Sequence, residues 1–157
     1  MAASEGVVAL REALGAQVVM LPEEFDDRRV HDWSGLPGAV PLAIIRPRDT
    51  NEVATALAIC ARHAQPVVTQ GGLTGLVGGA NLLGGEVALS LERMNRVVEI
   101  DAVSGTKTVE AGTPLQVVRE AASAAGFFRS ISARAAVARS AETSGPMRAE
   151  TASSSTA

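Results

Sequence analysis

Residues 66–81 read PVVTQGGLTGLVGGAN, and this stretch decides what kind of domain the chain can form. A short apolar run opened by Pro66 has the composition of a buried strand that delivers the chain to Gln70. Five glycines then follow within nine residues, at 71, 72, 75, 78 and 79. Glycine permits positive φ, and a chain bent in that way can turn successive backbone N–H groups toward one bound oxyanion. A pyrophosphate is the ligand that such a loop can hold without a cationic side chain, and Thr74 can add a hydroxyl hydrogen bond. The segment is not a Walker A loop, because no Gly-Lys-Ser/Thr follows. It is not the dinucleotide fingerprint either: the glycines do not spell GxGxxG, and a strand pattern comes next. On spacing alone, a plain connecting loop and a phosphate-binding loop both remain open.

Working outward, DTNEVATALAICARHA predicts a helix capped by Asp49 or Thr50, with Val53, Leu57, Cys60 and Ala64 on one face. Before it, PLAIIRP reads as a strand ended by Pro47. After the loop, EVALSLERMNRVVEID and GTKTVEAG read as strands of a meander, with Ser104-Gly105 as a turn. Thr113 is placed to cap a last helix, PLQVVREAASAAG, with Pro114 at its first position. Near the N-terminus, Glu5–Gln17 predicts a helix with Ser4 as cap and Val7, Val8, Leu10 and Leu14 as its apolar residues. The polar run EEFDDRRVHDWSG is expected to cross the surface, with Glu23 to Asp27 solvated. Residues 41–126 thus predict an α+β (α/β-like) arrangement in which a small sheet carries flanking helices.

Composition narrows the function classes. The chain has 157 residues, 46% of them hydrophobic, which suffices for one domain with a core. A net charge of -3 argues against a nucleic-acid partner. No apolar run reaches the ~18 residues of a membrane span, and the amphipathic N-terminus does not read as a signal peptide, so a cytoplasmic protein is expected. One cysteine, Cys60, excludes an internal disulfide and gives no metal cluster. It is expected in the core, Trp33 and Met94 are read as packing residues and not as flavin partners, and His31 and His63 are read as ordinary structural or exposed histidines.

Four motifs in order carry a resemblance: RPRDTNEV at 46–53, QGGLTGLVGGA at 70–80, MNR at 94–96 and VEAG at 109–112. Across residues 20–128 the chain resembles the flavin-linked oxidases with a p-cresol methylhydroxylase (PCMH) or vanillyl-alcohol oxidase type of FAD domain. Its nearer likeness is to glycolate oxidase flavoprotein subunits, D-lactate dehydrogenases and D-2-hydroxyglutarate dehydrogenases. The resemblance implies an oxidoreductase acting on 2-hydroxy acids, with FAD as cofactor. It further implies that Gln70, Gly71, Gly72, Leu73, Thr74 and Gly75 contact the FAD pyrophosphate. Gly78, Gly79 and Ala80 would then lie close to the flavin, and Gly112 would approach the cofactor where a side chain would clash. Some relatives tether FAD through a histidine near this loop; here Leu73 and Thr74 stand in that neighbourhood, which implies non-covalent FAD. Catalytic groups in this family come largely from a C-terminal cap domain, and none is assigned here.

The implied organisation is an N-terminal helix and extended segment (1–37), the first part of the FAD domain (38–128), and a tail (129–157). The tail, rich in Ala, Ser, Arg and Thr and without Leu, Asp or Lys, predicts disorder. A sharper reading comes from the genetic code. Lysine occurs once against abundant arginine, as a GC-rich gene produces. Writing GC-rich codons for Arg129 onward and rereading one base earlier gives PLDLGARGSCTIGGNIGTNAGGNRVILYG, which resembles the family's second glycine-rich stretch. The tail is therefore expected to be an out-of-frame translation and the chain a truncated, inactive oxidoreductase that dissolves poorly alone. The alternatives are a non-catalytic FAD- or nucleotide-binding module and one part of a split flavoenzyme.

Overall fold

A computed structural model describes residues 4–25 and 30–124. The expectation of a disordered tail over 129–157 lies outside the described residues. Helix α1 spans Glu5–Leu14, starts where the Ser4 side chain accepts the amide of Val7, and ends at Gly15, whose φ is +80°. Helix α2 spans Thr50–Arg62 and is capped by Asp49, whose carboxylate accepts the amides of Asn51 and Glu52. Its buried face differs from the expected one. Ala56, Ile59 and Cys60 are buried, whereas Leu57 is 44% exposed and Ala64 is exposed. The stripe turns this way because α2 packs against Val7 and Leu10 of α1, and the small Ala56 allows close approach.

Four short strands form one sheet in the order β1-β2-β4-β3: β1 Val19–Met20, β2 Ile44–Ile45, β3 Val67–Gln70 and β4 Val87–Ser90. Strand β1 pairs antiparallel with β2, and β4 runs parallel to both its neighbours. This corrects the expected meander, since β4 inserts between β2 and β3 and does not pair with the strand after it. That strand, β5 (Val97–Asp101), forms a separate antiparallel hairpin with β6 (Thr106–Val109), turning at Gly105 with φ +71°. Helix α3, Leu115–Ala124, packs on β5. Thr113 departs from its expected role. Its fully buried hydroxyl donates to the carbonyls of Glu110 (2.7 Å) and Arg96 (3.2 Å), tying α3 to the hairpin.

The four-stranded sheet has two differently covered faces. Ala43, Ile45, Val87 and Leu89 point toward α1 and α2. Ile44 and Ala88 point the other way, to Phe25 and Leu82, with Met20, Val30, Ala39 and Val68 around them. Helices therefore flank one face only, and irregular chain closes the second. Part of the expected solvated stretch is built in as well. Glu24 makes a bidentate ion pair with Arg11 at 2.6 and 2.8 Å, and Phe25 is buried beside it. No helix among the described residues is long and apolar enough to cross a membrane.

Candidate functional site: the glycine loop

Because β4 runs parallel to β3, the chain must travel back along the sheet between them, and a parallel crossover takes about a dozen residues or more. Residues 71–86 make that return without a helix. The loop leaves the sheet at Gln70, opposite Ser90 in the register, at the C-terminal ends of two parallel strands. Ligand crevices of parallel sheets open at such ends.

Gln70 is only 3% exposed, and its carboxamide nitrogen donates to the carbonyls of Val30 (3.1 Å) and Ala80 (2.9 Å). It thus ties the start of the loop to its far arm. Leu73 holds a positive φ of +56° with its side chain buried, a conformation that costs energy in a bulky residue. Gly78 has φ +78°, and its carbonyl accepts the amide of Asn81 at 3.1 Å. The Gly75 carbonyl accepts the amide of Trp33 at 2.9 Å. Gly79 faces open space, Ala80 is half-buried, and Leu76 and Val77 are exposed.

The amides of Gly71, Gly72, Gly75, Leu76, Val77 and Gly79 donate to no acceptor among the described residues. Residues 66–85 carry no charged side chain. A loop of unspent backbone donors at a sheet's C-terminal end suits an oxyanion such as a diphosphate, so the residues present fit the group that the resemblance implies.

Gly112 reaches the loop indirectly. A β-carbon there would stand 1.7 Å from the Leu91 carbonyl oxygen and 2.9 Å from that of Met94. The Leu91 amide in turn donates to the Gln70 carbonyl at 3.3 Å. A close approach of backbone to backbone thus already requires glycine at 112.

The wall facing the loop was not legible as such in the sequence. The segment expected to cross the surface instead packs on the loop through Asp32 and Asn81. The Asn81 side-chain oxygen accepts the amide of Asp32 at 2.8 Å, and its nitrogen donates to the Leu36 carbonyl at 3.2 Å. Asp32 is 8% exposed and accepts the Ser34 amide at 3.0 Å. Burial pushes its carboxyl up, but the Ser34 hydroxyl and amide and the amides of Ala80 and Gly78 outweigh this and hold it below the usual range. Asn81 closes the quoted GGAN motif, yet nothing local signals a partner so far back in the chain. The Nδ1 of His31 is buried without a hydrogen bond, on the side where a β-carbon at Gly38 would stand 2.6 Å away. His63 is exposed at the end of α2, and Cys60 is buried, which pushes its thiol up. No group of three or more His, Cys, Asp or Glu among the described residues could hold a metal ion.

Comparison with known proteins agrees with this geometry. Over 96 residues the chain is 43% identical to a D-2-hydroxyglutarate dehydrogenase from Xanthomonas citri pv. viticola, covering 61% of this chain and 20% of that one. Over 114 residues it is 36% identical to the glycolate oxidase subunit GlcD of Bacillus subtilis, covering 68% and 24%. The chain therefore spans a quarter or less of the length of these relatives. Substrate-bound p-cresol methylhydroxylase shares the fold, with a TM-score of 0.72 over 85% of this chain and 27% of that one, at 22% identity. A 4-ethylphenol oxidase from Gulosibacter chungangensis gives 0.59 over 77% and 24%, at 30% identity. Residues 41–138 match the FAD binding domain family, and the chain belongs to that family.

Proposed function

We propose that this chain forms one wall of the FAD site of a cytoplasmic oxidoreductase acting on 2-hydroxy acids of the glycolate, D-lactate or D-2-hydroxyglutarate kind. The observation that carries the reading is the uncharged glycine loop, whose amides at 71, 72 and 75–77 have no acceptor among the described residues. Those of Gly71, Gly72 and Gly75, with Leu73 and Thr74 beside them, would hold the FAD diphosphate, while Gly78, Gly79 and Ala80 lie toward the flavin. Gln70 serves the site by fixing the loop's two arms, since its own N–H groups are spent on Val30 and Ala80. No histidine or cysteine lies within residues 66–85, which supports non-covalent attachment. When bound, FAD supplies the acceptor for the hydride on the carbon bearing the hydroxyl. The chain's own residues bind and orient the cofactor, and the groups that hold the substrate and take its proton lie outside the residues assigned here.

Residues 129–157 are, on the same reading, an out-of-frame translation. Support comes from the reread sequence, PLDLGARGSCTIGGNIGTNAGGNRVILYG. Resequencing across codons 120–160 tests this: one added base should open a frame that continues with GARGSCTIGGN. Titration of the purified full chain with FAD, followed by flavin fluorescence, tests the site. Binding that ADP displaces, without turnover of glycolate, D-lactate or D-2-hydroxyglutarate, is the expected result. A soluble, cooperatively melting chain that binds neither FAD nor ADP would overturn the reading. Binding by a chain whose frame proves intact would favour a non-catalytic module or one part of a split flavoenzyme.

A further inference from the structure

The first arm of the glycine loop is held at three points, and none of the holding groups is a glycine amide. At its start, the Gln70 side chain donates to the carbonyls of Val30 and Ala80. At its end, the Gly75 carbonyl accepts the Trp33 amide at 2.9 Å. Between them stands Leu73, at φ +56° and only 7% exposed. Gly71, Gly72 and Gly75 could take such a bend freely, yet none of them has a positive φ; the left-handed position falls on the largest side chain of the run. A left-handed backbone disfavours a bulky L-residue about five- to thirtyfold. Withdrawing a leucine side chain from water favours the folded form by about tenfold to a hundredfold. Burial therefore outweighs the strain, and the bend persists because the side chain is seated.

We propose that Leu73 is a positioning residue of the glycine loop: its buried side chain holds a left-handed bend that the backbone alone would abandon, and this shapes the first arm for a phosphate ligand without spending the amides of Gly71, Gly72 and Gly75. Those three amides have no acceptor among the described residues. Backbone strain of this kind collects at ligand clamps, where the surrounding packing over-determines it. The part concerning the ligand rests on the FAD reading, whereas the pinning of the bend does not.

The test compares the full chain with its Leu73→Met, Leu73→Gly and Leu73→Ala variants by amide hydrogen exchange and by FAD titration. Exchange is read by NMR without ligand at the Trp33 amide, which reports whether the Gly75 carbonyl stays in place. The Ala88 amide of β4, bonded to the Ala43 carbonyl at 2.9 Å, is the control. Methionine keeps the apolar body and should stay within about twofold of the parent. Glycine loses the side chain but accepts the bend, so exchange at Trp33 should rise about threefold. Alanine loses most of the side chain and resists the bend, so the rise should be about tenfold or more, with Ala88 unmoved. FAD affinity should weaken in the same order, as a less preorganised loop binds less well. A residue that merely fills space gives the reverse order, because alanine fills more of the vacated volume than glycine and is the less flexible residue. Glycine equal to or worse than alanine at Trp33 therefore overturns the proposal. If L73A does not fold, Leu73→Val carries the comparison, since its branched β-carbon resists a left-handed backbone while most of its size is kept; a rise of about threefold or more, against none in L73M, is expected, and parity with L73M overturns the proposal. The predicted exchange order in a family of variants whose parent binds no FAD would uphold the pin and overturn the ligand reading, so the two failures are distinguishable.

Discussion

Replacing Gly112 with alanine separates two reasons for the glycine, clearance for a cofactor and clearance for the chain's own backbone. The new β-carbon would lie 1.7 Å from the Leu91 oxygen and 2.5 Å from its carbonyl carbon. Ordinary C···O contact is about 3.3 Å or more, so the two segments must part by roughly 1.5 Å. Neither neighbour is a flexible side chain that can swing aside. Parting them breaks the hydrogen bond from the Gly112 amide to the Met94 carbonyl (2.8 Å) and strains the one from Met94 to the Leu91 carbonyl (3.0 Å). Overpacking of this kind costs about 1–3 kcal/mol, and each lost hydrogen bond adds about 1 kcal/mol. The expected loss is about 2–4 kcal/mol, a large share of the roughly 5–15 kcal/mol that holds a domain together. With a urea slope near 1.5 kcal/mol per molar, the unfolding midpoint should fall by about 1.5–2.5 M. Urea titration followed by far-ultraviolet circular dichroism reads this directly. A Gly112→Ala chain that unfolds within about 0.3 M of the parent, yet no longer takes up FAD, would refute the packing argument.

Two further outcomes are expected. Hydrogen bonds from Arg11, then the Leu21 amide, hold the Glu24 carboxyl down to about 2 against an ordinary value of 4.5. A lowered folded-state pKa gives stability that is complete above about 4.5 and fades as pH falls toward 2. Glu24→Gln should therefore flatten the fall of the urea midpoint across that window and lower it at neutral pH; an unchanged pH profile would count against the pair. On α2, Ala56→Leu should cost about 1–3 kcal/mol by forcing α1 and α2 apart, while Leu57→Ala at the exposed position should stay within about 0.5 kcal/mol. Thermal melts of the two variants check this, and the reverse order would restore the face read from the sequence.

What the chain wrote into its local sequence was legible because local rules govern it. Ser4 and Asp49 cap helices through hydroxyl and carboxylate groups a few bonds from the amides they satisfy. The Ser104-Gly105 turn, the apolar run of β3 and the glycine loop all follow from backbone preferences within a few residues. The α2 face was misread because Leu57 and Cys60 satisfy the same helical period, and only α1 decides which side of the stripe is buried.

Family and cofactor class were determined by the sequence alone, since four motifs in fixed order survive without any knowledge of their neighbours. Tertiary structure decided the rest. The insertion of β4 between β2 and β3 follows from backbone pairing across the sheet, on which side-chain period is silent. That insertion forces residues 71–86 to run back along the sheet, where Leu82 becomes core and the loop becomes a lid on its second face. Asp32 and Asn81 meet across 49 positions of chain. Nothing in the composition around either residue announces the other, because the hydrogen bond that joins them exists only once the sheet has brought both segments to the same face.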